Sequence, residues 1–213
     1  LTLERLESFG NDLLEVADYL ARQQVFHRDI KPDNLGIRPD RSSHRPRLAL
    51  FDFSLSQHRS DDRRSGTPPY LDPFIGPRFG RPAYDSAAER FAVAATLFVM
   101  ATGAEPAWGD GISAPEAITD EVTVDAAMFE GPSAARMRDF FTRALARDAA
   151  SRFDDIPAMA RAWQRLFRTG TTTIHGTNVD DADREDAAGR ATADTALTDA
   201  GLSAYAVSAA HRL

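Results

Sequence analysis

The stretch His27-Arg28-Asp29-Ile30-Lys31-Pro32-Asp33-Asn34-Leu35 decides the fold of this chain. It brings carboxylates, an amide, fixed cations and a histidine together within nine residues. Pro32 cannot continue a regular helix or occupy a central strand, because its ring fixes φ and it has no backbone N–H. The sequence therefore places these polar groups on a loop, which we call the 27–35 loop.

A short apolar run downstream of this loop, Leu48-Ala49-Leu50-Phe51, ends at Asp52-Phe53-Ser54. An apolar run of this length predicts a short buried strand. Residues 38–47, which are rich in Arg, Ser and Pro, predict an exposed hairpin connection between this strand and Leu35-Gly36-Ile37. Asp52 could then join Asn34 around a hard cation, since Mg²⁺ takes one or two oxygen ligands from protein and others from substrate phosphates.

Three motifs carry a resemblance to a known family. Residues 27–34 resemble the catalytic loop of protein kinases, and Asp52-Phe53-Ser54 resembles their metal-binding Asp-Phe-Gly triplet. Gly66-Thr67-Pro68-Pro69-Tyr70-Leu71-Asp72-Pro73-Phe74 resembles the end of an activation segment, where kinases usually read Gly-Thr-x-x-Tyr-x-Ala-Pro-Glu. Because the motifs occur in the family's order and spacing, the chain is similar to a divergent bacterial Ser/Thr protein kinase of the Hanks type.

The resemblance implies a mainly α (α+β) fold, the helical C-terminal lobe of a kinase with short β-strands around the catalytic loop. Only 26 residues precede His27, too few for the Gly-rich loop, the strand lysine and the helix glutamate of an N-terminal lobe. We therefore expect residues 1–168 to form a C-lobe without its N-lobe. The missing N-lobe or a larger parent chain would then be a partner, and the isolated fragment would be inactive.

The resemblance also implies roles for individual residues. Asp29 would orient the substrate hydroxyl and accept its proton, and Lys31 would balance charge on the transferred phosphoryl group. Asn34 and Asp52 would hold the Mg²⁺ ions that bridge the ATP phosphates. Thr67 would contact Asp29 and Lys31. The implied cofactors are ATP and Mg²⁺, and the implied partner is a protein substrate with a Ser or Thr acceptor.

A regulatory site is a further expectation. Arg28 precedes Asp29, and kinases with this arrangement often use the arginine to hold an activation-segment phosphate. Phosphate opposite an arginine cluster can order a loop through charge-assisted hydrogen bonds. Ser65 and Thr67 are the candidate phosphate acceptors, near arginines at positions 59, 63 and 64. A serine in any flexible loop would give the same pattern, and that alternative stays open.

The chain departs from the family pattern in its scaffolding residues. Ser54 replaces a glycine, and Phe74 replaces the glutamate that normally pairs with a late arginine, here Arg152. Asp72 is one candidate for the replacement partner. Glu89 stands where an aspartate usually begins the central helix and supports the catalytic loop. Because Asp29, Lys31, Asn34 and Asp52 are unchanged, the pattern favours an active divergent kinase over a pseudokinase.

Hydrophobic periodicity predicts four helices. Residues 1–24 carry leucines at helical spacing, and residues 133–147 and 154–168 have amphipathic patterns. Ser86 to Gly103 is apolar nearly all round, which predicts a buried helix. Residues 104–132, rich in Gly, Pro and acidic residues, predict an irregular connection with at most one short helix.

Composition limits the other classes of function. The chain has no cysteine, which excludes disulfides and agrees with a reducing cytoplasm. Its 25 basic and 32 acidic residues give a net charge of −7, which argues against general nucleic-acid binding. No apolar run approaches the roughly 18 residues of a membrane span. We therefore expect a cytoplasmic protein without a membrane partner.

The composition changes after residue 168. Residues 169–190 are rich in threonine, glycine and acidic residues, which predicts a flexible linker. Residues 191–213 become rich in alanine and leucine, which predicts the start of a small helical module. Leu197-Thr198-Asp199-Ala200-Gly201-Leu202-Ser203 faintly resembles the opening of a helix-hairpin-helix unit.

Two functions follow from these observations. The first is a Ser/Thr protein kinase that transfers the γ-phosphoryl group of ATP to Ser or Thr hydroxyls. The alternative is a pseudokinase, a scaffold or regulatory module of a larger multidomain bacterial protein, which the altered positions Ser54, Phe74 and Glu89 motivate. Divergent kinases of this kind also occur in large proteins of bacterial phage-defence systems.

Overall fold

The structure, a computed structural model, describes residues 1–39, 45–58, 62 and 65–168. These residues form four α-helices, α1 (Leu3–Arg22), α2 (Ser86–Thr102), α3 (Ala134–Ala144) and α4 (Ile156–Phe167). They also form a two-stranded sheet of β1 (Leu35–Pro39) and β2 (Pro46–Leu50). Short 3₁₀ helices occupy Pro32–Asn34, Pro68–Tyr70, Pro77–Phe79, Pro115–Ala117, Ala126–Met128 and Ala149–Ser151.

Several predicted features lie outside the described residues. These are the linker at 169–190, the helical module at 191–213, and the arginines at positions 59, 63 and 64. Within the described part, residues Leu1–Arg168 belong to one compact unit of four helices and a small sheet, which confirms the predicted mainly α (α+β) class. No helix among the described residues is long and apolar enough to cross a membrane.

Helix α1 packs closely against α4. It begins at Thr2, whose side chain accepts a hydrogen bond from the Arg5 backbone N–H. Gly10 is buried at the contact with Trp163, and a Cβ atom there would lie 2.3 Å from the indole ring. The predicted helix over 1–24 is confirmed, and its glycine allows α4 to approach the backbone of α1.

The hairpin is antiparallel, as predicted, and pairs Leu35 with Leu50. The Phe51 backbone N–H donates to the Asn34 carbonyl over 2.8 Å. The residue before β1 and the residue after β2 therefore lie side by side. The buried carboxylate of Asp12 in α1 accepts the Leu48 backbone N–H over 2.8 Å. This register places Asn34 and Asp52 at the same end of the hairpin.

Helix α2 is the centre of the core. Asp85 caps its N-terminus by accepting the Ala88 backbone N–H, and Gly103 ends it in the left-handed conformation at φ 73°. Phe91 and Leu97 in this helix are fully buried. Thr96 donates to the Ile30 carbonyl over 3.1 Å, which ties the middle of the helix to the 27–35 loop. The predicted buried helix is confirmed.

The connection between α2 and α3 is more ordered than its sequence predicts. It contains two short helices where at most one is predicted, and Trp108 forms a β-bridge with Val122. Arg147 explains the order, because its guanidinium donates to three backbone carbonyls of this connection at 2.6 to 3.2 Å, those of Pro115, Ile118 and Asp120. The hydrogen bonds of this one partly buried arginine therefore hold together a connection that has little regular secondary structure.

Candidate active site

Glu89 in α2 anchors the start of the 27–35 loop. Its carboxylate accepts the backbone N–H of His27 over 2.6 Å and that of Arg28 over 3.2 Å. The Tyr84 hydroxyl donates to the same carboxylate over 2.6 Å. Burial raises the pKa of Glu89, while these hydrogen bonds act in the opposite direction. Glu89, which is longer than the aspartate usual at this position, therefore holds the start of the loop. Arg28 adopts positive φ (69°) at this point of the loop.

His27 is a structural residue of the site. Its Nε2 lies 2.8 Å from the Phe51 carbonyl, to which it donates, and its Nδ1 accepts the Asp29 backbone N–H over 3.3 Å. These two contacts fit the neutral ring, and burial lowers the pKa of His27. The Phe53 ring packs edge-on against the imidazole with centroids 4.6 Å apart. His27 thereby connects the 27–35 loop to the segment around Asp52.

Four predicted site residues meet in one hydrogen-bonded group, Asp29, Lys31, Asn34 and Thr67, which we call the Asp29 cluster. The Thr67 hydroxyl donates to Asp29 Oδ1 over 2.8 Å, and the Thr67 backbone N–H reaches the same oxygen over 3.1 Å. Lys31 Nζ lies 2.7 Å from Asp29 Oδ2 and donates to Thr67 Oγ1 over 2.6 Å. Asn34 Nδ2 donates to Asp29 Oδ2 over 3.0 Å. The cluster joins residues up to 38 positions apart.

The charge state of Asp29 follows from these contacts. Partial burial alone would raise the pKa of Asp29. Hydrogen bonds from Lys31, Thr67 and Asn34 outweigh burial, together with the positive charge of Lys31, and hold the pKa of Asp29 below its ordinary value. At neutral pH the carboxylate is therefore ionised and can accept a hydrogen bond from a hydroxyl group.

Asp52 lies at the end of the hairpin beside Asn34, but its side chain is exposed. Its backbone adopts positive φ (60°), and the Ser54 backbone N–H donates to Asp52 Oδ1 over 3.2 Å. Hydrogen bonds from Ser54 lower the pKa of Asp52. Ser54 itself does not adopt positive φ, so this conformation does not require the glycine that it replaces.

The side-chain oxygen atoms of Asn34 and Asp52 are ligands of the kind that Mg²⁺ binds in proteins. The amide nitrogen of Asn34 donates to the Asp29 carbonyl over 2.7 Å, which leaves the amide oxygen available as a ligand. Among the described residues no group of three or more His, Cys, Asp or Glu side chains could hold a metal ion. One carboxylate and one amide suit a metal that takes its other ligands from phosphates and water.

The candidate regulatory residues do not form a single site. Thr67 belongs to the Asp29 cluster. The Ser65 hydroxyl contacts His58 Nδ1 over 2.9 Å and donates to the Asp62 carboxylate. Arg28 donates to the Asp62 backbone carbonyl over 3.2 Å and lies over the Tyr84 ring. Arg28 and Ser65 thus both contact Asp62, whereas Thr67 contacts Asp29 and Lys31.

Asp72 is the partner of Arg152, as the sequence suggested. Arg152 Nη1 lies 2.7 Å from Asp72 Oδ2, and both side chains are 1% exposed. Arg81 contacts the same carboxylate. Phe74, which stands in the position of the usual glutamate, is buried under the guanidinium of Arg147 at 4.5 Å from its centroid. The scaffold thus uses a neighbouring carboxylate in place of the missing one.

Sequence reasoning missed Arg81 and Tyr84. Arg81 joins Asp72 to Asp85, and Tyr84 completes the hydrogen bonds of Glu89. Neither residue belongs to one of the three motifs. Arg81 lies four residues before Asp85, the N-cap of α2, and outside any helix, so helical spacing in the sequence does not signal their ion pair.

Comparison with known proteins agrees with this geometry. The protein kinase domain family matches residues 1–164. The chain is 40% identical over 181 residues to a protein described as "Probable kinase PglW" from Streptomyces coelicolor, which covers 82% of this chain and 11% of that protein. It is 25% identical over 169 residues to a calcium/calmodulin-dependent protein kinase type 1 from Macrobrachium nipponense, covering 76% of this chain and 47% of that protein.

A third relative is the meiosis-specific serine/threonine-protein kinase MEK1 of Saccharomyces cerevisiae, 29% identical over 119 residues, 46% of this chain and 23% of that protein. The chain therefore spans less than half the length of these relatives. The family match covers α1, α2, α3, the hairpin, the Asp29 cluster and most of α4. By this match, the chain belongs to the protein kinase family.

Proposed function

We propose that this chain is the C-terminal lobe of a Ser/Thr protein kinase and transfers the γ-phosphoryl group of ATP to a Ser or Thr hydroxyl. The Asp29 cluster is the observation that carries the proposal. It supplies an ionised carboxylate and a lysine ammonium group within 2.7 Å of each other. Phosphoryl transfer depends mainly on positioning and on stabilising charge, and a preorganised pair of this kind can provide both.

Each residue of the site has a separate role in this proposal. Asp29 accepts a hydrogen bond from the substrate hydroxyl and receives its proton as the hydroxyl oxygen attacks the γ-phosphorus. The bond between the γ-phosphorus and the β,γ-bridging oxygen breaks at the same time, and ADP leaves with the bonding electron pair. Lys31 places positive charge near the transferred group, and Thr67 fixes the rotamers of both side chains. Asn34 and Asp52 supply oxygen ligands for Mg²⁺, which neutralises charge on the ATP phosphates when bound.

A second lobe belongs to the same proposal. The Asp29 cluster belongs to one lobe, and kinases hold the nucleotide phosphates from a further lobe as well. The matched region is 11% of the length of the similar Streptomyces coelicolor protein, so the proposal includes a longer parent chain that supplies this lobe. Without that lobe we expect the fragment to be inactive. A cytoplasmic location is also proposed, and the absence of cysteine supports it.

The proposal is tested by phosphoryl transfer from γ-labelled Mg-ATP to a protein substrate, with the chain in its natural parent protein. We expect Asp29→Asn to abolish transfer, because an amide cannot accept the proton, while Asp139→Asn on the exposed surface of α3 leaves transfer unchanged. Phosphoamino-acid analysis of the product checks specificity for Ser and Thr.

The scaffold alternative predicts a different result. The changed positions Ser54, Phe74 and Glu89 favour it, although Glu89 still anchors the loop and Asp72 replaces the missing partner of Arg152. If the folded parent protein binds Mg-ATP but transfers no phosphate to any substrate, the scaffold function would replace the kinase function.

A further inference from the structure

Tyr84, a buried residue just before α2, contacts both the 27–35 loop and the carboxylate that anchors this loop. Its hydroxyl donates to Glu89 Oε2 over 2.6 Å. Its ring packs edge-on against the Phe26 ring with centroids 5.5 Å apart, and the Arg28 guanidinium lies 4.8 Å from its centroid. Tyr84 therefore contacts the loop through its ring and the anchoring carboxylate through its hydroxyl.

The Glu89 carboxylate has three donors. Oε1 accepts the His27 backbone N–H, and Oε2 accepts both the Arg28 backbone N–H and the Tyr84 hydroxyl. An ionised carboxylate accepts at both oxygens, whereas the protonated form carries a hydrogen that competes with one of these donors. Because Glu89 is buried, its ionised form depends on keeping the donors that surround it.

The backbone of Arg28 adopts a conformation that is costly for a residue with a Cβ atom. Its φ is 69°, and its N–H is held by Glu89 over 3.2 Å. Its carbonyl lies close to Gly66, where an added Cβ atom would be 2.6 Å from the oxygen. The next residue is Asp29, so the orientation of the Asp29 carboxylate depends on this conformation of Arg28.

The segment that carries Tyr84 is fixed by ion pairs. Arg81 Nε and Nη2 donate to the two carboxylate oxygens of Asp85 over 2.8 and 2.6 Å, and Asp85 caps the N-terminus of α2. Arg81 also contacts the buried carboxylate of Asp72. These contacts lie on both sides of Tyr84 in the sequence, so its side chain has little freedom to turn away from α2.

We propose that Tyr84 is a positioning residue for phosphoryl transfer, whose hydrogen bond to Glu89 preserves the loop conformation that orients Asp29. This inference rests on the proposed kinase function, because it concerns the group that accepts the substrate proton. The family resemblance implies a supporting carboxylate at position 89, whereas Tyr84 belongs to none of the three motifs. Within the described part of the chain its hydroxyl donates to Glu89 and not to Asp29, so it acts on Asp29 through the loop.

The ionisation of Glu89 gives this role a signature in the pH dependence of activity. Burial raises the pKa of Glu89, and the hydrogen bond from Tyr84 acts against this rise, together with the loop N–H groups and the charge of Arg28. Removing the hydroxyl therefore raises the pKa of Glu89 further. Protonation of Glu89 would then release the loop at a higher pH than in the unaltered protein.

The other titratable groups around this pair are few in the described part of the chain. Burial, followed by the charge and hydrogen bond of Glu89, raises the pKa of Tyr84, so its hydroxyl stays protonated at neutral pH. The charge of Asp72 acts on Tyr84 in the same direction. Burial lowers the pKa of His27, and its ring contacts the Phe51 carbonyl rather than Tyr84. A change of pH profile caused by Tyr84→Phe therefore reports on Glu89.

The first measurement is kcat for phosphoryl transfer by the parent protein as a function of pH. We expect Tyr84→Phe to move the acidic limb of the profile to higher pH, with a loss of about tenfold on that limb and much less on the plateau. KM for ATP should change little, because the affected step is chemical. The matched control is Tyr19→Phe in α1, whose hydroxyl makes no hydrogen bond within the described residues and whose loss should leave the profile unchanged.

The second measurement needs no catalysis. Hydrogen exchange of the full chain without ATP reports the protection of the His27 and Arg28 backbone N–H groups, which donate to Glu89. Tyr84→Phe should lower both protection factors about tenfold. The Leu48 N–H, which donates to a carboxylate of α1, should keep its protection, and this verifies that the fold is retained.

A double variant tests whether Tyr84 acts through Glu89. Glu89→Gln has no carboxylate to titrate, so adding Tyr84→Phe to it should not move the pH profile of kcat any further. A further shift in the double variant would place the action of Tyr84 elsewhere and overturn the inference.

The outcomes separate this inference from the proposed function. A kcat that Tyr84→Phe lowers by the same factor at every pH, or unchanged protection of His27 and Arg28, overturns the positioning role. Lost protection in a parent protein that transfers no phosphate supports the hold of Tyr84 on the loop and refutes the kinase function. Lost protection together with a shifted acidic limb supports both.

Discussion

At the scale of single residues, the site depends on one carboxylate that four groups hold. Asp29 contacts a lysine, a threonine hydroxyl, a threonine backbone N–H and an asparagine amide at 2.7 to 3.1 Å. Because donors surround both oxygens, these contacts favour the ionised form of the side chain in this orientation. The two motifs that supply these groups lie 38 positions apart, so the activation-segment threonine helps to set the geometry of the 27–35 loop.

Replacement of Thr67 tests this dependence. Thr67→Val keeps the shape but removes the hydroxyl that links Asp29 to Lys31. We expect kcat of the parent protein to fall by about tenfold or more with little change in KM for ATP, because misplacement of a reacting group slows the chemical step. Thr67→Ser keeps the hydroxyl and should retain most of the activity. Equal activity of the valine and serine variants would contradict a positioning role.

At the scale of secondary-structure elements, two contacts between distant segments hold the site in place. Glu89 fixes the start of the 27–35 loop to α2, and Asp72 fixes the activation-segment end to Arg152 beyond α3. Both contacts use buried carboxylates that are fully hydrogen-bonded. A buried charge is stable only when its partners are present, so each contact makes the position of one element depend on another.

The Asp72–Arg152 contact gives a stability prediction. Asp72→Ala leaves Arg152 buried without its carboxylate, and Arg81 loses the same partner. We expect the free energy of unfolding to fall by about 3–5 kcal/mol, as for other buried pairs that lose one member.

Urea denaturation monitored by tryptophan fluorescence measures this change. The control is Asp139→Ala, which removes an ion pair with Arg138 whose two side chains are largely exposed. That variant should change the free energy of unfolding by less than about 1 kcal/mol. Similar losses in the two variants would show that burial of the Asp72 pair is not what makes it stabilising.

The contact between α1 and α4 gives a second prediction at this scale. In Gly10→Ala the added Cβ would overlap the Trp163 ring, which is itself fully buried and cannot turn away freely. Although alanine favours helix more than glycine does, we expect a loss of about 1–3 kcal/mol from overpacking. Ser8→Ala on the same helix adds no atoms and should be near neutral. A stabilised Gly10→Ala protein would show that helix propensity exceeds the cost of the clash.

At the scale of the whole molecule, stability depends on pH through groups on both sides of the site. The pKa of His27 is lowered by burial, so the unfolded chain binds a proton more readily than the folded one. The stability that neutral His27 provides is therefore present above its ordinary pKa of 6.5 and is lost as pH falls below it. The pKa of Glu89 is raised above its ordinary value of 4.5, so the folded chain binds this proton more readily than the unfolded one. Protonation of Glu89 at pH values above 4.5 therefore partly offsets the loss of stability caused by His27.

A second loss occurs at lower pH. The pKa values of Asp29 and Asp85 are held below 3.8, so their contribution is lost as pH falls through those lowered values. We expect the free energy of unfolding, measured by urea titration from pH 7.5 to 3, to fall in two steps. His27→Gln should remove the step that begins near 6.5 while leaving the lower one. A curve with a single low step in the unaltered protein would contradict burial of a neutral His27.

Local sequence patterns determined the secondary-structure elements of this protein and the residues of its candidate site. Hydrophobic periodicity predicted four helices and the hairpin, because burial of an apolar face is decided by the residues of that segment. The family motifs brought Asp29, Lys31, Asn34 and Thr67 together as candidates, and the structure places these four side chains in contact. Asp52 follows from the hairpin register.

Only the tertiary structure decided which distant groups satisfy the buried charges. Asp72 is one candidate partner of Arg152 from the sequence, and the structure pairs the two across 80 positions. Arg81 joins this pair without belonging to any motif, and Arg147 orders a connection predicted to be irregular. The physical reason is that a buried charge takes whatever hydrogen-bonding partner the packing of the core brings within reach. That packing depends on the whole set of helices, and no single segment of the sequence encodes it.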